Sequence, residues 1–284
     1  MNKIAIITDT DSSLPSEVAA RYGIRQVPIT IHFGDESYTT GVDIDDALVF
    51  EKIDRLNRLP TTSAPSPGAF AAAYESAFQE GAEAIVCICV SSKVSATYTA
   101  ALSACESFPG RAIHVVDSLN LSMGQGFMAI AAAEAARAGA TPQEVVAQAV
   151  ETGRRVHVYA VLSTLKYLAL SGRVGKLAAG IADTISIKPV LTIREGKLDL
   201  LERVRTRKKA IDRMMELTRQ SLGGKPIERA AVIHVTDPNG ARELQEMLCA
   251  ALNCPEEVIT AEFTPGLSVH AGSGVVGLVV VSQK

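Results

Sequence analysis

The 284-residue chain has no apolar stretch near the roughly 20 residues that span a bilayer. Its first apolar run, residues 4–7, falls short of the roughly 7–15 residues of a signal-peptide core and ends at Thr8 and Asp9. These two absences predict a soluble cytoplasmic protein. Neither sign of charge is in excess: 28 Lys+Arg against 31 Asp+Glu leave a net charge of −3. A generally basic, nucleic-acid-binding surface is thereby excluded. Cysteine is scarce, with five residues in no metal spacing. The odd count predicts free thiols in a reducing compartment. Cys87 and Cys89 fall in an apolar run and read as core strand residues, whereas Cys249 and Cys254 lie near a helix end. No His/Cys/Asp cluster has zinc spacing. A Walker A loop, a Rossmann glycine triplet and a Gly-x-Ser-x-Gly elbow are missing as well. No metal and no cofactor is expected.

What the chain does contain is a globular composition, 47% hydrophobic and 21% charged, which excludes disorder as a description of the whole. Short apolar runs alternate with Ala-rich helical segments. Strands are expected at residues 4–8, 25–31, 84–90 and 112–116. Helices are expected at 14–22, 43–57, 66–78, 95–107, 122–138 and 141–152, the last with Thr141 as N-cap and Pro142 behind it. Such alternation predicts parallel βαβ units. After residue 153 the pattern changes to strand 156–162, a Gly-rich turn at 171–175, and a hairpin, 187–194 with 197–203, joined through Glu195 and Gly196. Helix 206–222, strand 230–234, helix 239–251 and strands 258–262 and 275–281 follow. The expectation is two α/β domains, 1–153 with a mostly parallel sheet and 154–284 with a mixed one.

Four segments carry polar residues at strand ends, where open α/β sheets bind ligands. In Thr8-Asp9-Thr10-Asp11-Ser12-Ser13 the acids could hold a metal or accept a phosphoryl group, but they also belong to the ordinary helix-capping set. In Pro60-Thr61-Thr62-Ser63-Ala64-Pro65-Ser66 three hydroxyls precede a loop stiffened by proline. Residues 91–97 join a buried strand to a helix, a turn whose free N–H groups suit an anion. There Ser95 could be a nucleophile, an oxygen ligand or an N-cap. Residues 266–274 read as a Gly-rich loop holding His270, which is either a functional or a structural residue. His32, His114, His157 and His234 have no supporting motif.

Taken together, the segments resemble the DegV family of bacterial fatty-acid-binding proteins. The motifs occur in family order across almost the whole chain: Thr8-Asp9-Thr10, Thr62-Ser63-Ala64-Pro65, Ser91-Ser92-Lys93-Val94-Ser95-Ala96-Thr97-Tyr98, Gly172-Arg173-Val174-Gly175, Lys188-Pro189-Val190-Leu191 and His270-Ala271-Gly272-Ser273-Gly274. Ala96 stands where the family has glycine, and Thr10-Asp11 varies the first loop. The resemblance implies two α/β domains and a lipid tunnel holding one long-chain fatty acid. Carried over by position, Thr62, Ser95 and His270 would hold the carboxylate, with Ser63 beside them and Arg173 near the mouth. It further implies a carrier without catalytic residues, working as a monomer and serving a separate ATP-dependent fatty acid kinase. Small residues at 69–73 and 129–136 could leave room for the tail or pack helices closely. A hydrolase or acyltransferase built on Ser95 and His270 is the alternative, as is a kinase or phosphatase built on Asp9 and Asp11. The basic stretch Arg203, Arg205, Arg207, Lys208, Lys209 and Arg213 reads either as a solvated helix start or as a contact for an anionic membrane or an acidic partner.

Overall fold

The computed structural model describes residues 3–172 and 187–284. The chain opens with β1 (Ile4–Asp9), a 3₁₀ turn (Thr10–Ser12), α1 (Ser16–Tyr22), β2 (Ile24–Val27), β3 (Thr30–Phe33) and β4 (Glu36–Thr39). Next come α2 (Asp46–Leu56), β5 (Thr61–Ser63), α3 (Pro67–Gln79), β6 (Ala84–Cys89), α4 (Thr97–Ala104), β7 (Ala112–Asp117), α5 (Met123–Arg137) and α6 (Pro142–Arg154). The remainder is β8 (Val156–Val161), α7 (Lys166–Leu170), β9 (Lys188–Arg194), β10 (Lys197–Val204), α8 (Arg207–Leu222), β11 (Ile227–His234), α9 (Pro238–Ala251), β12 (Val258–Glu262), α10 (Pro265–Ala271) and β13 (Val276–Ser282). Helix starts follow their capping residues. Asp45, Ser66 and Thr206 accept from the first-turn amides of α2, α3 and α8, and Thr141 and Glu144 form a reciprocal capping box on α6.

The strands form three sheets. β2-β1-β6-β7 is wholly parallel. β10-β9-β8-β13-β11-β12 is antiparallel except for its last pair. The hairpin joined through Glu195 and Gly196 is present, with Lys197 opposite Arg194. A third sheet, β4-β3-β5, is antiparallel and corrects the expected strand at 25–31. Pro28 cannot donate to a ladder, so the run divides there into β2 and β3, which join different sheets. α5 lies between the two larger sheets. Its residues from Met123 to Ala133 are all buried, as befits a helix that is apolar all round. One cluster takes in Ile6 and Val86 from the first sheet, Phe127 and Ile130 from α5, and Val279 and Val281 from the second. Gly126 permits this closeness, since a Cβ there would stand 3.0 Å from the Ser12 carbonyl oxygen. Arg229 of β11 reaches back to Glu134 of α5 with two hydrogen bonds.

Two further sequence expectations need correction. Residues 265–271 form helix α10 rather than part of a loop; Pro265 fits its first turn and Gly272, at φ +82°, ends it. Cys249 and Cys254 are joined in a disulfide, their Cα atoms 5.1 Å apart across the end of α9. Only Cys87, Cys89 and Cys105 are free thiols, and the cysteine argument for a reducing compartment falls. Of the two readings left open for the small residues at 69–73 and 129–136, close packing is the one found: alanines of α3 and α5 pack against neighbouring helices and strands. Cys87 and Cys89 are fully buried in β6, as expected. Among the described residues no helix is long and apolar enough to cross a membrane.

Acids at strand ends hold the parallel sheet's loops. Asp9 is fully buried and accepts from the backbone N–H of Val90 (2.8 Å), from that of Asp11 (3.0 Å) and from the Gln125 amide of α5 (3.0 Å). Burial pushes its pKa up from 3.8 to about 6 against these hydrogen bonds. Ionised Asp9 is therefore the costly form. Its contribution to stability is complete below pH 3.8 and falls as the pH rises through about 6. Asp9→Ala orphans three buried donors and should cost about 3 kcal/mol in urea unfolding at pH 5, and less at pH 8. An unchanged midpoint at pH 5 would show that Asp9 does not hold the loops.

Candidate functional site

Ser95 lies in the loop between β6 and α4. Flanking strands hold this loop: Asp9 at the end of β1 accepts from Val90, and Asp117 at the end of β7 accepts from the Ser92 N–H at 3.0 Å. The hairpin of the second sheet touches it too, because Ser91 Oγ donates to the Gly196 carbonyl at 2.7 Å. A Cβ on Gly196 would come within 2.5 Å of that Oγ. Ser95 Oγ accepts from the Thr97 N–H at 3.3 Å and shares a 2.8 Å hydrogen bond with Thr97 Oγ1. Ser95 thus does the work of an N-cap, although Ala96 occupies the residue before the helix. Ala96 has φ −84°, so the position does not demand glycine.

Thr62 and Ser63 lie on β5, which pairs with β3. Ser63 Oγ is hydrogen-bonded to His32 Nε2 at 2.9 Å, and His32 Nδ1 meets Ser37 Oγ at 2.8 Å. His32 therefore orients Ser63, a role invisible in sequence because the partners are 31 residues apart. Thr62 Oγ1 meets His270 Nε2 of α10 across 3.1 Å and 208 positions.

α10 is placed by contacts along its length. Thr264 Oγ1, just before it, donates to the Thr10 carbonyl at 2.8 Å. Ser268 Oγ donates to Asp46 Oδ1 of α2 at 2.5 Å, and both residues are buried. Val269 enters the cluster formed by Ile29, Ile31, Val49 and Ile53. Burial pushes Asp46 up from 3.8 to about 7, aided by the charges of Glu262 and Asp45 and opposed by the Ser268 hydrogen bond. Nothing in the sequence singled out Asp46 or Ser268.

These segments meet at a cavity of about 210 Å³. Its polar lining includes Asp11, Thr62, Ser63, Ser95 and His270. The apolar walls come largely from the six-stranded sheet, through Val158, Leu191, Ile193, Leu198 and Ile233, with Phe263 and Leu267. The small residues at 69–73 and 129–136 do not line it: those helices spend their alanines on close packing. A second, more polar groove of about 690 Å³, with Arg58, Lys166 and Tyr167 on its walls, also reaches Thr62 and His270. The Thr62–His270 pair thus separates an apolar chamber from a polar one. Of the residues expected at the site, Arg173 lies outside the described residues. Asp9 is used up in holding loops, while Asp11 lines the cavity beside Gly266. Among the described residues no group of three or more His, Cys, Asp or Glu could hold a metal ion.

The chain is matched over residues 3–283 by the model of the DegV family, described as uncharacterised proteins. A DegV domain-containing protein of Streptomyces coelicolor is 34% identical over 280 residues, 99% of each chain. Another, from Halalkalibacterium halodurans, is 32% identical over 278 residues and 98% of each chain. Among solved structures, the fatty-acid-binding DegV family protein of Thermus thermophilus superposes with a TM-score of 0.92 at 32% identity, covering 99% of this chain and 100% of that one. DegV of Bacillus subtilis, a fatty acid binding protein, gives 0.88 at 30% identity with complete coverage of both chains. With matching motifs, matching topology and identity along its whole length, the chain belongs to the DegV family.

Proposed function

We propose that the chain binds one long-chain fatty acid, its tail in the apolar cavity and its carboxylate held by Thr62, Ser95 and His270, with Ser63 beside it and Arg173 near the mouth. The observation that carries this reading is the cavity itself: hydroxyls and an imidazole from three distant segments line one chamber walled mostly by Val, Leu, Ile and Phe, and two of them, Thr62 Oγ1 and His270 Nε2, stand 3.1 Å apart. The fatty-acid binding of the Thermus and Bacillus relatives supports it. In this reading residues 1–153 form one α/β domain supplying the hydroxyls, and residues 154–284 form a second supplying tail walls and His270. Each buried methylene contributes about 0.8 kcal/mol, so a 16-carbon tail gains on the order of 10 kcal/mol before the costs of association. The carboxylate loses water only where donors replace it. Hydroxyls and an imidazole do so without locking it into an ion pair, and leave an oxygen able to attack.

The attack we infer is on the γ-phosphorus of ATP held by a separate kinase subunit. A carboxylate oxygen forms the new O–P bond, ADP leaves, and an acyl phosphate results. The chain acts as a monomeric carrier in this scheme, loading at an anionic membrane. The basic stretch bears on that last step with fewer groups than its sequence has. Arg207 is bound to Asp237 and to the Gly274 carbonyl, and Arg213 to Glu202 and Glu216. Arg203, Arg205, Lys208 and Lys209 stay exposed.

Ser95→Ala and His270→Ala should each weaken oleate binding about tenfold by calorimetry, the worth of one lost hydrogen bond to a charged group. Wild-type affinity in both would remove the head-group assignment. The purified single chain should consume no ATP with oleate present, and turnover would overturn the carrier reading. Lys208→Glu with Lys209→Glu should reduce low-salt sedimentation with phosphatidylglycerol vesicles while leaving oleate affinity intact. Equal sedimentation of variant and wild type would reduce the stretch to a solvated helix start.

A further inference from the structure

α10 has only seven residues, too few to hold its own geometry in water, so its position comes from what it touches. Its middle is fixed by a polar contact within an apolar setting. Ser268 is wholly buried and donates to Asp46, which is 3% exposed and sits in the first turn of α2. The second oxygen of Asp46 is buried and has no hydrogen-bond partner among the described residues. A buried acid with one oxygen unmatched is a costly thing to keep for packing alone, because an apolar pair of the same shape would avoid the cost. Ser268 precedes His270 by two residues, about 200° around a helix, so the two side chains leave α10 on opposite sides. One side grips α2. The other carries the imidazole to Thr62 at the junction of the two cavities.

We propose that Asp46 is a positioning residue for His270: through Ser268 it sets the rotation of α10 and thereby the distance of the imidazole from Thr62. The proposal deepens the fatty-acid reading and rests on it for its affinity readout. Asp46 touches no ligand in this scheme. α2 and α10 are joined at a point that turns the helix as a lever, and the far end of that lever is the head-group imidazole. Asp46 needs only to offer an acceptor at Oδ1, so asparagine can serve in its place.

The test is a double-mutant cycle on the full chain, read by oleate affinity. Asp46→Ala and Ser268→Ala should each weaken binding about tenfold, the cost of a misplaced donor. Asp46→Asn, which retains the acceptor, should restore most of what Asp46→Ala loses. In a His270→Ala background, Asp46→Ala should cost little more. Equal losses with and without His270, or wild-type affinity in a folded Ser268→Ala, would overturn the proposal. A second measurement needs no lipid. The His270 imidazole resonance, identified by its disappearance in His270→Ala, should move in ligand-free Asp46→Ala and Ser268→Ala and return in Asp46→Asn. If the wild type binds no oleate, the fatty-acid reading fails, while this resonance still decides the positioning role. An unmoved resonance overturns it.

Discussion

The Asp9 carboxylate at the end of β1 ties its own following turn to two parts of the chain that lie 81 and 116 residues away. It accepts from the loop after β6, from its own following turn and from α5. Each of those donors is buried, so each would be a liability without it. The loop it grips carries Ser95, the turn it grips carries Asp11, and α5 is the helix sandwiched between the two large sheets. The part of the polar lining that comes from the parallel sheet, Asp11 and Ser95, is therefore registered against the core by one group. That arrangement has a cost: burial pushes Asp9 to about 6, so the fold accepts an expensive charge in return for order in its loops.

Division of labour follows the sheets. The parallel sheet ends in loops that carry Ser95 and Asp11 to the cavity, and the three-stranded sheet adds Thr62 and Ser63 on β5. The N–H groups of Val90 to Ser95 and of Thr97 are already hydrogen-bonded within the protein, so the free amides expected of this turn are not there. The mixed sheet presents an apolar face whose residues line the chamber. α10 crosses between them: it comes from the second half of the chain and packs on α2 and the three-stranded sheet of the first. Neither half alone encloses the space. A carboxylate at the junction would meet donors from both, while its tail would meet mostly carbon.

Much of this was legible from residues alone. Capping signals such as Thr141 with Pro142 placed helix starts, and buried runs such as residues 84–90 placed central strands. Thr62, Ser95 and His270 stood out through their places in motifs that resemble those of the DegV family; the local pattern alone left Ser95 and His270 open between structural and functional roles. Other features stayed hidden for physical reasons. Gly266 and Gly272 read as a loop because glycine marks turns, yet the seven residues of α10 are held helical by tertiary contacts. Strands β4 and β5 are too short, at four and three residues, to show a period. His32, Asp46 and Ser268 act through partners 31 and 222 residues away, and no local pattern encodes such distances. Small alanines suggested room for a tail, but small side chains also let helices approach, and close packing won.

The central claim is that one carboxylate sits between Thr62, Ser95 and His270 with its chain in the apolar cavity. A crystal structure of the protein with oleate tests it most directly. The account predicts one acyl chain in the chamber lined by Leu191, Ile193 and Ile233, its carboxylate oxygens within about 3.2 Å of Thr62 Oγ1, Ser95 Oγ and His270 Nε2. An empty chamber at saturating oleate, or a carboxylate seated away from all three side chains, would contradict it.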